Sequence, residues 1–438
     1  MSLPPAGGAV YIAPMKTVCL LLGLILAVAL SFWFAPPPLG EPNVEYWGHY
    51  VRVGPRMGFV YNHDSKEYLD VARHPAYLLR AREVRQSRPL YALLAAAVGY
   101  PLTVGLAGAG RLGLMPRWPP EQVAHYGFYG GFVALNMLAL LASLLLLRHL
   151  CLRLTNGQGA AWQFYPLAWI LVSTPLTKAF FWTAHQQFLA LLTPLFCLAL
   201  VLEMRQRAPL RTLALLGLAA GLGLLALVYG NFVLVWPALA YGIWLSGAGP
   251  AGAKPAPAQV LYWLRLGLSL VAFVLPTVLW ILLLKWHGVV YYNRETTRYH
   301  QLVWLWEGLS QPLPDYLAQI GYNLARFAEV LPQVGCWVVL AGLLYGATWR
   351  RRGAAAGPVS TMTSEQAQAL GWVFSTFTVF VALLGYYQVR LTYTLFPLIL
   401  CGLAALLPRW PRRWAQPVAL AVAASWHLYV LLSYGPFE

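Results

Sequence analysis

Apolar runs recur along this chain from Thr17 to Leu432, and most are separated only by short polar turns. A soluble core cannot use so much apolar surface. A bilayer can, because lipid solvates the outward-facing side chains while each helix satisfies its own backbone. Of the 438 residues, 59% are hydrophobic and 10% charged, against roughly 25% charged in soluble domains. The length would otherwise suggest two or three soluble domains. The sequence therefore predicts one integral membrane domain over 1–438. The expected fold is all-α and polytopic, with about 11–13 transmembrane helices. Candidate spans run from Thr17–Phe34, Pro89–Leu112 and Val123–Leu147 through to Pro417–Leu432.

Two polar stretches are long: 36–88, the first polar loop, and 285–329, a second outer polar loop. Both mix aromatic with charged residues, which predicts amphipathic helices lying at the membrane interface. Gly247–Pro257 reads as a flexible connector. The five cysteines lie in or beside apolar runs without CxxC spacing, so they read as small packing residues. No small-x-small cleavage site follows Thr17–Phe34, which reads as an uncleaved first helix.

The formal charge is +16, from 30 Lys+Arg against 14 Asp+Glu. Nucleic-acid binders carry such an excess on a soluble face, whereas here most of it falls in short clusters between apolar runs, as topology signals do. No nucleic-acid partner is expected; membrane lipids are. With Arg350–Arg352 placed in the cytoplasm, counting spans puts Arg409–Arg413, Lys254–Arg265, Arg205–Arg211 and Arg148–Arg153 there too. Lys285–Glu329, Lys178–Gln187 and Gln388–Thr392 then face outside. The first polar loop is ambiguous. It falls inside if Pro89–Leu112 crosses fully, as its eight basic residues favour, and outside if that segment only dips in or re-enters.

Carboxylates are scarce. The chain has three aspartates, Asp64, Asp70 and Asp315, and two of them stand in Asn62-His63-Asp64-Ser65-Lys66-Glu67-Tyr68-Leu69-Asp70. That cluster is the first place to look for an acid, base or ligand. Asp64 and Glu67 also have the spacing of a helix capping box, with Pro75 to end the helix. Arg82, Arg85 and Arg88 follow at intervals of one turn, and a set of guanidinium groups beside carboxylates suits a phosphate. His185 sits at a predicted outside turn. Tyr291–His300 offers Arg294 and Glu295, which a solvated amphipathic face explains well. Arg390 stands without a basic neighbour. No GxxxxGK[ST], HExxH or GxSxG occurs, and no GxGxxG follows a strand.

The order of these parts resembles the GT-C superfamily of membrane glycosyltransferases. The matching residues are Asp64-Ser65-Lys66-Glu67-Tyr68, as Asp-x-x-x-Tyr, then Arg85-Gln86-Ser87-Arg88-Pro89-Leu90-Tyr91, and late in the chain Arg390 to Pro397. The resemblance implies transfer of a sugar from a polyprenyl-phosphate-linked donor to an extracytoplasmic lipid, glycan or protein acceptor. It implies an inner or plasma membrane enzyme whose site, and first polar loop, face outside. Asp64 would be the general base, assisted by His185, and Glu67, Tyr68, Arg82, Arg85, Arg88, Tyr291, Tyr292, Arg294 and Arg390 would contact substrate. The position where many members carry a second acidic residue holds His185, with no Asp or Glu between Glu121 and Glu203. A divalent metal is thus an open expectation, with no metal ligands assigned. The alternatives are a transporter or flippase of lipid-linked or anionic solutes, and an O-antigen polymerase or ligase. A transporter would need polar groups at mid-bilayer on broken, repeated helices, and none is visible.

Overall fold

The structure, a computed structural model, describes residues 14–36, 48–157, 161–206, 210–247, 256–352 and 362–433. The Gly247–Pro257 connector falls for the most part outside the described residues. The chain is an all-α polytopic membrane protein to which one β-hairpin is added. Its elements are α1 (Met15–Ser31), β1 (His49–Gly54), β2 (Met57–Tyr61), α2 (Asp64–Arg73), α3 (Pro89–Arg111), α4 (Pro120–Leu154), α5 (Ala161–Val172), α6 (Pro175–Phe180), α7 (Leu189–Gln206), α8 (Thr212–Ala226) and α9 (Val235–Gly247). They continue with α10 (Ala256–Trp286), α11 (Arg294–Thr297), α12 (Val303–Gly308), α13 (Leu313–Glu329), α14 (Pro332–Arg352), α15 (Ser364–Leu383), α16 (Val389–Thr392), α17 (Phe396–Leu406) and α18 (Arg412–Leu432).

Among the described residues, seven helices have the length and composition of a membrane crossing. Leu313–Glu329 and Pro332–Ala347 form a further pair bent by 74°, and Thr212–Ala226, Gly230–Leu245 and Phe396–Arg409 are shorter apolar helices. The bend is what an amphipathic interface helix meeting a span requires: α13 buries only Asn323 and Phe327.

Contacts between helix ends give the bundle two distinct faces. At one face Arg153, closing α4, pairs with Glu203 near the end of α7 at 2.5 Å, and Arg205 pairs with Glu365 at the start of α15. Arg265 of α10 donates to the Leu210 carbonyl there. At the other face Asn136 of α4 meets the segment after α6. Asn136 to Arg153 rises about 25 Å along the helix, close to the thickness of a bilayer's hydrocarbon core.

Helix α3 does not join these faces. The Tyr91 hydroxyl donates to Asn136 Oδ1 at 3.3 Å, and Gly99 and Gly131 let the backbones of α3 and α4 close together. A Cβ at Gly99 would lie 2.8 Å from the Phe128 backbone. Farther along, Thr103 lies against Gly127. The pairing is antiparallel, so α3 starts at the Asn136 level and runs away from the basic face beside the first half of α4. Residues 48–88 therefore share a face with 178–187, 285–329 and 388–392.

The first polar loop departs from an all-helical expectation. His49–Gly54 and Met57–Tyr61 are rich in aromatic and β-branched residues, which favour a pleated hairpin. They pair antiparallel, His49 opposite Tyr61, with an irregularity between Arg52 and Gly54. The expected amphipathic helix follows as α2, which buries Ser65, Tyr68, Leu69, Val71 and Ala72 and stops before Pro75.

Candidate active site

Helix α2 carries Asp64 as its first residue. The Asn62 side chain accepts the Asp64 backbone N–H at 2.8 Å, so the cap comes from Asn62 and the capping box read at Asp64 and Glu67 does not form. That leaves both carboxylates free to meet partners elsewhere. Arg85 Nη2 lies 2.6 Å from Glu67 Oε2 and 3.2 Å from Asp64 Oδ1. Its guanidinium stacks 3.8 Å over the ring of Tyr68, which is fully buried beneath it. A buried cation needs this much compensation, since desolvation of an unpaired one costs several kcal/mol.

The Ser65 hydroxyl accepts the Ala184 N–H at 3.2 Å, which draws the segment after α6 onto α2. Asn136 holds that segment from the other side, its Nδ2 donating to the carbonyls of Phe180, Phe181 and Thr183 at 3.1, 3.1 and 2.8 Å. His185 is thereby buried with Nε2 3.6 Å from Asp64 Oδ2, just beyond a direct hydrogen bond. With its amide turned to satisfy both neighbours, Gln186 donates to the Tyr68 hydroxyl at 2.9 Å and accepts from Arg88.

The second polar loop closes the site. Arg88 Nη2 pairs with Glu295 Oε1 at 2.5 Å, and the Ser87 hydroxyl donates to Glu295 at 3.4 Å. Arg294 stands 3.9 Å from Glu67. Buried Gln86 joins the loops: its Nε2 donates to the Leu78 and Arg80 carbonyls, its Oε1 accepts the Tyr292 N–H at 2.9 Å, and its carbonyl accepts from Trp280. The solvated face read at Tyr291–His300 is corrected accordingly, because Arg294 and Glu295 turn inward.

Asp64, Arg85, Arg88, His185, Arg294 and Arg390 line one cavity of about 280 Å³. Glu67 stands behind Arg85 and Tyr68 beneath it, and neither lines the cavity. Arg82 is exposed, with φ +59 where the chain turns into the 3-10 helix Val84–Ser87. It is not a helical neighbour of Arg85. Tyr291 and Tyr292 are also off the lining. Tyr299 and Tyr386, stacked at 4.4 Å, and Tyr229 supply the aromatic wall instead. The sequence offered little to single these out, nor Gln86, Gln186, Glu295 and Asn136. Asn136 was the most detectable, as a lone amide inside an apolar run.

No protein-family model matches the chain, and no curated protein matches it. Among solved structures, the crystal structure of ArnT from Cupriavidus metallidurans bound to undecaprenyl phosphate is similar, with a TM-score of 0.48 and 15% identity. The similarity covers 94% of this chain and 64% of that one, so the chain spans less than two thirds of that protein's length.

Burial by itself would raise the Asp64 carboxyl. The neighbouring His185 ring and the guanidinium groups of Arg85 and Arg390 outweigh it and hold the carboxyl well below its usual range. Burial pushes His185 down to about 4, against the pull of Asp64. At neutral pH the pair is a carboxylate beside a neutral imidazole. A divalent cation does not fit this donor set. Asp64 and Glu67 already face Arg85, four guanidinium groups line the cavity, and no three His, Cys, Asp or Glu side chains converge among the described residues.

Proposed function

We propose that the chain is a membrane glycosyltransferase that takes a sugar from a polyprenyl-phosphate donor and passes it to an acceptor hydroxyl on the outer face. One observation carries the reading: a scarce carboxylate and four guanidinium groups, from segments distant in sequence, converge in one cavity. The cavity opens at helix ends, where a lipid headgroup resides. The apolar groove of about 750 Å³ between α14 and α18 suits a lipid chain, and Tyr393, shortly after Arg390 in sequence, reaches Gln333 on its wall at 3.2 Å.

The roles follow from charge. Arg88, Arg294 and Arg390 hold the donor phosphate and stabilise the charge that grows on it as the sugar leaves. Asp64 accepts the proton of the acceptor hydroxyl as the new C1–O bond forms. A carboxylate held far below its usual range is a weak base, so its surroundings must become more negative before it acts. The donor phosphate, held beside it on Arg88, Arg294 and Arg390, neutralises guanidinium charge and raises the Asp64 carboxyl toward its ordinary range. Neutral His185 orients the carboxylate from its other oxygen. The outer orientation rests on the positive-inside rule, since Arg153, Arg205 and Arg265 gather on the opposite face.

The test is turnover of a labelled polyprenyl-phosphate sugar by purified protein in detergent. Donor consumption in wild type and none in Asp64→Asn is expected. A wild-type protein that binds the donor without consuming it, yet moves it across liposomes, would establish a transporter instead.

A further inference from the structure

A second polar cavity, of about 370 Å³, lies on the opposite side of α2. Helical spacing puts Asp64, Glu67 and Tyr68 on one face of α2, and Lys66, Asp70 and Arg73 on the reverse. Lys66, Asp70 and Arg73 line this cavity together with His49 of β1, His63, and His125 from α4. It shares no lining residue with the Asp64 cavity. Arg85 and Arg88 are matched to carboxylates, but neither Lys66 nor Arg73 forms an ion pair among the described residues. Even with every imidazole neutral, two cations face one carboxylate, and the rings add further donors.

We infer that this cavity binds an anionic group, a phosphate or a carboxylate, carried by the acceptor. The word acceptor rests on the transferase reading above; the anion site does not. His63 immediately precedes Asp64, so the rim of this cavity leads round the first turn of α2 to the proposed base. A helix with its side chains is about 10 Å across, which sets the spacing between the acceptor's anion and its reacting hydroxyl. The site thus selects acceptors whose charge stands one helix-width from the glycosylated oxygen.

The experiment titrates inorganic phosphate into the full chain in dodecyl maltoside by calorimetry. Arg88→Ala/Arg294→Ala/Arg390→Ala serves as the background, removing the three guanidinium groups assigned to phosphate in the other cavity. Phosphate binding is expected to persist there, to weaken at least tenfold on adding Lys66→Gln/Arg73→Gln, and to return with Lys66→Arg/Arg73→Lys. An unchanged titration on adding the glutamines overturns the site. Should that variant aggregate, Arg73→Gln alone puts the same question. Dihexanoyl phosphatidic acid binding tenfold more tightly than phosphate, with dihexanoyl phosphatidylcholine inert, identifies a lipid-borne phosphate; equal affinities identify a phosphate on a soluble or glycan group. Failure of the wild-type protein to consume a polyprenyl-phosphate sugar would sink the transferase reading and leave these titrations untouched, so the two ideas fail separately.

Discussion

Arginines gather at both ends of the helix bundle, yet they meet different partners. On the basic face Arg153 pairs with Glu203, near the end of the adjacent α7, and donates to the Leu202 carbonyl, while Arg265 donates to the Leu210 carbonyl. These contacts tie the ends of neighbouring helices together through a carboxylate or a backbone carbonyl. On the opposite face Arg85 and Arg88 are buried or half-buried and reach carboxylates from separate segments around a cavity. Residue type is the same; the difference lies in what stands opposite. The guanidinium groups of the basic face join helix ends, whereas those of the opposite face line a cavity of about 280 Å³.

The sharpest break of this comparison is Asp64→Asn. It should lower transfer by about 10³-fold, with the thermal midpoint little changed because Arg85 keeps Glu67. Single-turnover assays with labelled donor read this, and near-normal turnover would remove Asp64 from the chemistry. Arg88→Ala comes next. A charge-assisted contact is worth about 1.5–3 kcal/mol, so donor KM should rise roughly 10- to 100-fold, and an unchanged KM would leave Arg88 as a structural partner of Glu295 alone.

Asn136→Leu strips three carbonyls of their donor. It should cost about 2–4 kcal/mol, seen as a lowered thermal midpoint with a parallel loss of activity as His185 drifts. A variant with wild-type stability would show that the segment after α6 holds itself in place.

Acidification offers a smaller effect with a definite sign. His185 has a folded value of about 4, below its ordinary 6.5. Between these values the unfolded chain binds a proton that the folded chain refuses, so stability is full above about 6.5 and falls as pH drops toward 4. The depressed Asp64 carboxyl acts in the same sense at still lower pH. Thermal melts from pH 7.5 to 4.5 should slope downward, and His185→Gln should flatten that slope. The smallest change belongs to the basic face: Arg153→Gln should alter turnover by less than about twofold, since sites more than about 10 Å apart that share no partner act independently. A large loss of transfer would join the two ends functionally and erase the contrast.

How much could be read beforehand depended on the range of the signal. The Asp64 cluster and the basic run 80–88 stood out because carboxylates are rare and the residues are neighbours in sequence. Arg82 was misplaced because one-turn spacing implies an α-helix, whereas the chain turns there through a left-handed residue into a 3-10 helix. Glu295 was set aside because its partner Arg88 is more than two hundred residues away. The capping box failed for a local reason: Asn62 took the Asp64 N–H, and Arg85 offered Glu67 a charged partner that a backbone amide cannot match.

Sequence alone determined that this chain lives in a membrane as a bundle of helices, because hydropathy acts residue by residue and needs no partner. It also marked one basic face, since charge clusters recur with the parity of the spans. Only the tertiary structure put residues 48–88 on one face with 178–187 and Arg390, through the packing of α2 on the segment after α6 and of α3 on the first half of α4. It alone brought Asp64, His185, Glu295 and Arg390 to one cavity, because hydrogen bonds from Asn136, Ser65 and Gln86 fix loops whose positions no local propensity encodes.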